Sequence, residues 1–217
     1  MNIEQARFNM IEQQIRPWEV LDSGVLSLLS IVKREDFVPA AYRALAFVDT
    51  EVPLPGGQHM LEPKVEARLL QELAVHKHER VLEVGAGSGY MAALLAHKAQ
   101  HVTTLEISPE LAQLAGANLT RAGVMNVSVR AGDGARGYPA DAPFDVIVLS
   151  GSVAEVPPAL LGQLKVGGRL VAIVGQLPVM RALLISRDSE HGLRSVELFD
   201  TVAPRLQGFG EPSHFSF

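Results

Sequence analysis

Near the middle of the chain, Val81-Leu82-Glu83-Val84-Gly85-Ala86-Gly87-Ser88-Gly89-Tyr90 carries an apolar strand pattern straight into three glycines spaced by single residues, followed by an Ala/Leu-rich helical pattern. Without a Cβ, such a backbone can turn tightly and let a ligand lie directly against it. The dinucleotide fingerprint G-x-G-x-x-G would place its third glycine at position 90, where this chain has Tyr90. The spacing therefore argues against a nicotinamide dinucleotide. Glu83, two places before the first glycine, adds a carboxylate that the dinucleotide motif does not ask for.

Its neighbours sharpen the reading. After a helical pattern over residues 91–97 comes a second apolar run, 101–105, closed by Glu106 and Ile107. Glu106 stands seventeen residues beyond Gly89, and an acid at the end of a second strand can accept hydrogen bonds from both ribose hydroxyls. A third run, 127–130, ends in Ala131-Gly132-Asp133-Gly134, which puts another carboxylate where it could accept from an adenine amino group. A lone acid at a strand end is usually just solvated. Acids and glycines at three successive strand exits mark the carboxyl edge of a parallel sheet, where doubly wound folds bind ligands. Glu83, Gly85, Ala86, Gly87, Ser88, Gly89, Glu106, Ile107, Gly132, Asp133 and Gly134 are thus the expected cofactor site, and S-adenosylmethionine is the cofactor it suits.

A chain of 217 residues can build one sizeable core, or a domain with a modest appendage. Hydrophobic residues make up 47% and charged ones 20%, without a long apolar run, so a globular protein is expected rather than a membrane span. Residues 1–10 are polar and lack the apolar stretch of a secretory signal, which makes the cytoplasm the default location. With no cysteine there are neither disulfides nor thiolate metal ligands, and His76, His78, His97 and His101 lack ligand spacing on one element. No metal site is expected. A net charge of −5 and a pI near 5.8 argue against non-specific nucleic-acid binding.

No internal repeat interrupts the chain. Spaced apolar residues over 2–15 predict an amphipathic helix halted at Arg16-Pro17, and Asp22 reads as the N-cap of a second helix reaching residue 32. Residues 36–63 are loop-rich, and a helix is predicted over 64–75. Strands are then predicted over 144–150 and 169–174 with a helix over 158–164 between them, and a hairpin over 181–186 and 193–202. The fold class is α/β: a doubly wound, mostly parallel sheet with an N-terminal helical appendage and at least one C-terminal antiparallel strand. The division expected is an N-terminal helical and loop segment, 1–63, on a cofactor-binding domain, 64–217, in one compact unit. Trp18, Phe209, Phe215 and Phe217 read by default as buried packing residues, with a substrate wall or dimer contact as the alternative.

These landmarks resemble the protein-L-isoaspartate O-methyltransferases over nearly the whole chain. Arg34-Glu35-Asp36-Phe37-Val38-Pro39 resembles the family's N-terminal signature, and Gly57-Gln58 followed by Pro63 its substrate loop. Residues 81–90 resemble its cofactor loop, Gly132-Asp133-Gly134 its adenine-side turn, and Ala142-Pro143-Phe144-Asp145 its entry to the fourth strand. The resemblance implies a Rossmann-like fold, S-adenosylmethionine as methyl donor, and methyl esterification of isoaspartyl carboxylates in protein or peptide substrates.

The substrate loop departs from that pattern. Family members read Gly-Gln-Thr-Ile-Ser-x-Pro where this chain reads Gly57-Gln58-His59-Met60-Leu61-Glu62-Pro63, so Leu61 takes the serine position. Methyl transfer to a carboxylate needs little acid–base help, because the acceptor is ionised near neutral pH; positioning and water exclusion are the enzyme's work. Loss of a positioning hydroxyl, with Glu62 beside it, puts the acceptor in question. His59, whose ring could take a proton or donate to a carboxylate, and Leu61 are the candidate acceptor-side residues. Two alternatives stand beside the repair reading: a methyltransferase with another acceptor, and a non-catalytic cofactor-binding scaffold for a protein partner. Tyr90 suits either the methionine part of the cofactor or simple packing.

Overall fold

The computed structural model describes residues 2–210; Phe215 and Phe217 lie outside them. Helix α1 (Ile3–Met10) opens on Asn2, whose side chain accepts from the Gln5 N–H. Pro17 has no N–H to continue the ladder, and ahead of it the helix widens into a π turn (Ile11–Ile15) and then tightens into a 3-10 turn (Arg16–Trp18). Asp22 caps α2 (Ser23–Ile31), accepting from Val25 at 2.9 Å as its sequence position predicts. The loop-rich stretch contains 3-10 turns at Arg34–Asp36 and Ala40–Phe47 and a short antiparallel ribbon of β1 (Val52–Pro53) and β2 (His59–Met60). Helix α3 (Pro63–Leu73) starts on proline, which suits a first helical position.

From there β3 (Arg80–Val84), α4 (Tyr90–Lys98), β4 (His101–Glu106), α5 (Pro109–Arg121), β5 (Val127–Ala131), β6 (Phe144–Val153), α6 (Pro158–Leu161), β7 (Leu164–Gln176), β8 (Val179–Arg187) and β9 (Leu193–Thr201) follow. The sheet order is β5-β4-β3-β6-β7-β8-β9. The first five of these strands run parallel, while β8 and β9 are antiparallel to their neighbours, so the expected C-terminal hairpin closes that side with two strands. Winding reverses between β3 and β6, the switch point at which such sheets bind ligands.

Several elements differ from the sequence pattern; strand β6, for one, runs on to Val153. Helix α6 is one turn, because Gly162 ends it. Strand β7 begins at Leu164, where pairing with Phe144 extends the ladder across the Gly167-Gly168 irregularity. Residues 108–121, unassigned by patterning, form α5, which Ser108 caps by accepting from Leu111.

Side chains alternate across β3. Val81 packs with the N-terminal helices, α3 and α4, while Leu82 and Val84 pack with β6, β7 and α6 on the opposite face. Glu83 has the parity of Val81, so its carboxyl enters the face that also carries Tyr90 and α3. The first cluster runs from Met10 through Leu29 and Leu70 to Met180, so the N-terminal segment and the sheet share one core. Trp18 belongs to it, edge-on to Phe199 at 5.2 Å, and Phe209 packs against the second cluster.

Candidate active site

The glycine loop leaves β3 with Gly85, Gly87 and Gly89 at φ +93°, +52° and +86°, conformations that side-chain-bearing residues adopt only under strain. The loop is tied to the next strand: the Gly85 and Ala86 N–H groups both donate to the Leu105 carbonyl, at 2.9 and 3.2 Å. Space is equally demanding at Gly85, where a Cβ would lie 2.7 Å from Leu206 Cδ2. Gly89 serves a different purpose. It precedes α4, and an added Cβ would meet the backbone of Ala115 at 3.2–3.3 Å, so it lets α4 and α5 approach.

A cavity opens above this loop at the carboxyl edge of the sheet. Gly85, Gly87, Glu106, Ile107, Gly132 and Gly134 line it, with Leu54, Gln58, His59, Leu111, Ser150, Leu206 and Gln207. Glu106 is buried, accepting from the Gly87 N–H at 2.9 Å through Oε2 and from the Ser108 N–H at 3.0 Å through Oε1. Its carboxylate thus joins the glycine loop to the start of α5. Asp133 is exposed, absent from the cavity lining, and accepts from its own turn at the Ala135 N–H, 2.9 Å away. Its backbone neighbours Gly132 and Gly134 face the cavity where its carboxylate does not.

A second, deeper cavity adjoins the first through His59, Leu54, Gly85, Gly87 and Ser150. Leu61, Glu66, Glu83, Ala86, Ser88 and Tyr90 line it. Glu83 is fully buried and accepts from the Thr104 and Ser150 hydroxyls, both at 2.7 Å. Burial pushes its carboxyl up to about 8, against those two hydroxyls, and Glu66 and Glu106 push in the same direction. Glu66 is pushed up to about 7 by burial, with Arg34 opposing. The Tyr90 ring packs at a tilt of 58° against Phe37, its centroid 5.5 Å away, and its buried hydroxyl has no hydrogen-bond partner among the described residues. Tyr90 therefore packs in the core and also lines this cavity.

The 53–63 loop forms the outer wall. Leu61 is buried in the first core cluster, and His59 is exposed at the meeting point of both cavities and a broader surface groove lined by Glu51, Gln176, Met180 and Pro204. Glu62 lies outside both cavity linings and pairs with Lys64 at 3.1 Å, beside a 2.7 Å Lys64–Asp49 bridge. Sequence reasoning missed several wall residues. Ser150 was findable as the exit of the fourth strand, but Leu54, Leu206 and Gln207 carry no local signal. Leu206 is brought in by hydrogen bonds that lace the C-terminal segment to β6, Ser152 N–H to Pro204 O at 2.7 Å and Leu206 N–H to Ser152 O at 2.9 Å.

The groups present fit an adenosyl sulfonium ligand. An apolar slot between Ile107, Leu111 and Leu54 suits a nucleobase, Glu106 at the second strand exit suits a ribose diol, and buried Glu83 suits an ammonium group. Fold and site together define a Rossmann-like methyltransferase. The chain belongs to the protein-L-isoaspartate(D-aspartate) O-methyltransferase family, whose model matches residues 5–202. It is 41% identical over 194 residues to the protein-L-isoaspartate O-methyltransferase of Koribacter versatilis (strain Ellin345), covering 89% of this chain and 87% of the relative. With that of Methanoculleus marisnigri the identity is 43% over 171 residues, covering 79% and 78%. A solved protein-L-isoaspartate O-methyltransferase superimposes with a TM-score of 0.78 at 27% identity, over 93% of this chain and 66% of that one. A Plasmodium falciparum structure titled as a protein-L-isoaspartate O-methyltransferase in complex with S-adenosyl-L-homocysteine shares the fold, with a TM-score of 0.79 at 20% identity over 95% and 99% of the two chains. Among the described residues no helix is long and apolar enough to cross a membrane.

Proposed function

We propose that this chain methylates the free carboxylate of isoaspartyl residues in protein or peptide substrates, using S-adenosylmethionine. The observation that carries the reading is the junction at His59, where the strand-edge cavity, the deeper acidic cavity and an open surface groove meet. A cofactor lying along the glycine loop and a peptide entering from the groove would meet there. When bound, S-adenosylmethionine supplies an electrophilic methyl on a sulfonium, and an ionised carboxylate attacks it without prior proton transfer.

The protein's part is then alignment. Glu106 takes the ribose hydroxyls, Gly85, Ala86, Gly87 and Ser88 give the close backbone surface, Ile107, Gly132 and Gly134 flank the base, and Glu83 takes the ammonium. Asp133 reaches the adenine amino group only if its turn shifts from the Ala135 bond. His59 donates to the acceptor carboxylate, and Leu61 with Met60 excludes water from the transfer path. Residues 1–63 act as the acceptor-side segment on a cofactor domain formed by the rest, in a cytoplasmic setting.

The test is transfer of labelled methyl to an isoaspartyl peptide and to its normal aspartyl twin. Ester on the first and not the second is expected. A protein that binds S-adenosylhomocysteine but esterifies neither would refute the repair reading and leave a methyltransferase of other acceptor specificity.

A further inference from the structure

The deeper cavity has a polar floor that the cofactor contacts proposed above do not use. Glu66 comes from the first turn of α3 and is 4% exposed; its Oε2 faces the Arg34 guanidinium at 3.4 Å, while Oε1 accepts no hydrogen bond among the described residues. Tyr90, 2% exposed, lines the same cavity from α4, and its hydroxyl has no partner among the described residues. A buried hydroxyl left unsatisfied costs stability unless something completes it, and Glu66 is the ionisable group that lines the same cavity. Directly beside them is Leu61, at the position where the resemblance calls for a positioning hydroxyl.

Arg34 makes this arrangement rigid. It is wholly buried and donates to the Leu61 carbonyl at 2.8 Å and the Ala46 carbonyl at 3.2 Å while facing Glu66, so one guanidinium ties the acceptor loop to the helix that carries Glu66. Three of its N–H groups are committed in this way, and Arg34 lines neither cavity.

We infer that Glu66, in its protonated form, and the Tyr90 hydroxyl are the hydrogen-bond donors that seat the acceptor carboxylate, replacing the hydroxyl absent at Leu61. The inference rests on the isoaspartyl reading above. A neutral carboxyl can donate to an ionised one; two ionised carboxylates in that space would repel. The groups facing Glu66 do not keep it charged. Arg34, from the 34–36 turn, opposes protonation; Glu83 from β3 is itself raised to about 8 and so is mostly neutral at pH 7, Tyr90 from α4 is uncharged, His59 lines the same cavity, and Glu35 is paired with Arg7. Burial dominates, and the carboxyl releases its proton only near pH 7. Acceptor binding therefore weakens as pH rises through that value, although the acceptor itself stays ionised.

The test uses the full chain saturated with S-adenosylmethionine and an isoaspartyl peptide between pH 5.5 and 8.5. In the wild type, KM should rise by up to about tenfold per pH unit above 7, as expected when one proton must be held. Glu66→Gln, which donates at every pH, should flatten that slope; Glu66→Asp should keep the slope at a higher KM; Tyr90→Phe should raise KM several-fold at every pH. Affinity for S-adenosylhomocysteine should change by less than twofold in all three. An unchanged slope in Glu66→Gln, or a comparable loss of S-adenosylhomocysteine affinity, overturns the inference, the latter by assigning Glu66 to the cofactor. A second measurement needs no acceptor: carbon NMR of glutamate-labelled protein bound to S-adenosylhomocysteine, with the Glu66 signal assigned by its loss in Glu66→Gln. Titration near pH 7 supports the inference, and titration below 5.5 overturns it. Absence of any ester at every pH refutes the isoaspartyl reading instead, and the titration then decides the state of Glu66 by itself.

Discussion

Along the exits of β3, β4 and β5, the groups that face the strand-edge cavity sit in turns a few residues long, held by bonds between adjacent strands such as Gly85 N–H to Leu105 O and Gly87 N–H to Glu106. The acceptor wall across from them is assembled differently. Its loop is held by Arg34 from the N-terminal segment, and its inner lining comes from Glu66 and Tyr90 on two helices. The cofactor side is thus backbone geometry, tolerant of little change, whereas the acceptor side is side-chain packing and charge. Specificity can drift on the second while the first persists.

That contrast predicts a graded series of effects. The largest belongs to Gly85→Ala, which combines a φ of +93° with a Cβ 2.7 Å from Leu206. Affinity for S-adenosylhomocysteine should fall about a hundredfold or more by calorimetry. Adding Leu206→Ala relieves the contact but not the dihedral strain, so it should restore only part; full restoration would show that packing alone, not backbone conformation, governs the glycine loop.

Next is Leu61→Ser. Leu61 is 5% exposed and part of the core, so restoring the hydroxyl of the resemblance should cost about 2–4 kcal/mol in denaturant unfolding. Stability unchanged by this substitution would mean that the loop is not anchored by its apolar side. Glu106→Ala loses a charged acceptor for two backbone donors and for the ribose, and should weaken the cofactor about tenfold to a hundredfold, from ~1.5 to 3 kcal/mol. Equal affinity in the folded variant would remove Glu106 from the ribose contact.

A smaller effect is a pH slope. Because burial raises Glu83 from 4.5 to about 8, the folded chain holds a proton there that the unfolded chain has released across that interval. Its contribution to stability therefore declines as pH climbs from about 4.5 to 8, and Glu83→Gln should flatten the corresponding slope of melting temperature. A slope as steep as the wild type's would show Glu83 ionised throughout. Smallest is Glu62→Gln: the side chain pairs with Lys64 outside both cavities, so KM for an isoaspartyl peptide should move less than twofold. A tenfold gain would mean that Glu62 does repel the acceptor, as its place in the sequence suggests.

The legibility of the chain follows the same division. Asp22 and the β3 glycine loop were readable because capping and positive φ depend on a few adjacent atoms. Helix α5 also carries a local signal, since Ser108-Pro109 is a helix start. Asp133 shows a limit of principle. Its position at a strand exit was correct, but the direction of a side chain in a turn depends on its own backbone bonds, here to Ala135.

The sequence by itself determined the α/β alternation, the glycine loop, the acid at the second strand exit and the altered acceptor loop, because each is written in neighbouring residues through strand period, missing Cβ atoms and short-range hydrogen bonds. Tertiary structure alone decided that Arg34 would lock the loop to α3, that Glu66, Tyr90 and Leu61 would line one cavity, and that Leu206 would close over Gly85. Those groups are separated by tens of residues along the chain, and their shared burial, which sets the protonation of Glu66 and Glu83, exists only after the N-terminal segment has packed on the sheet.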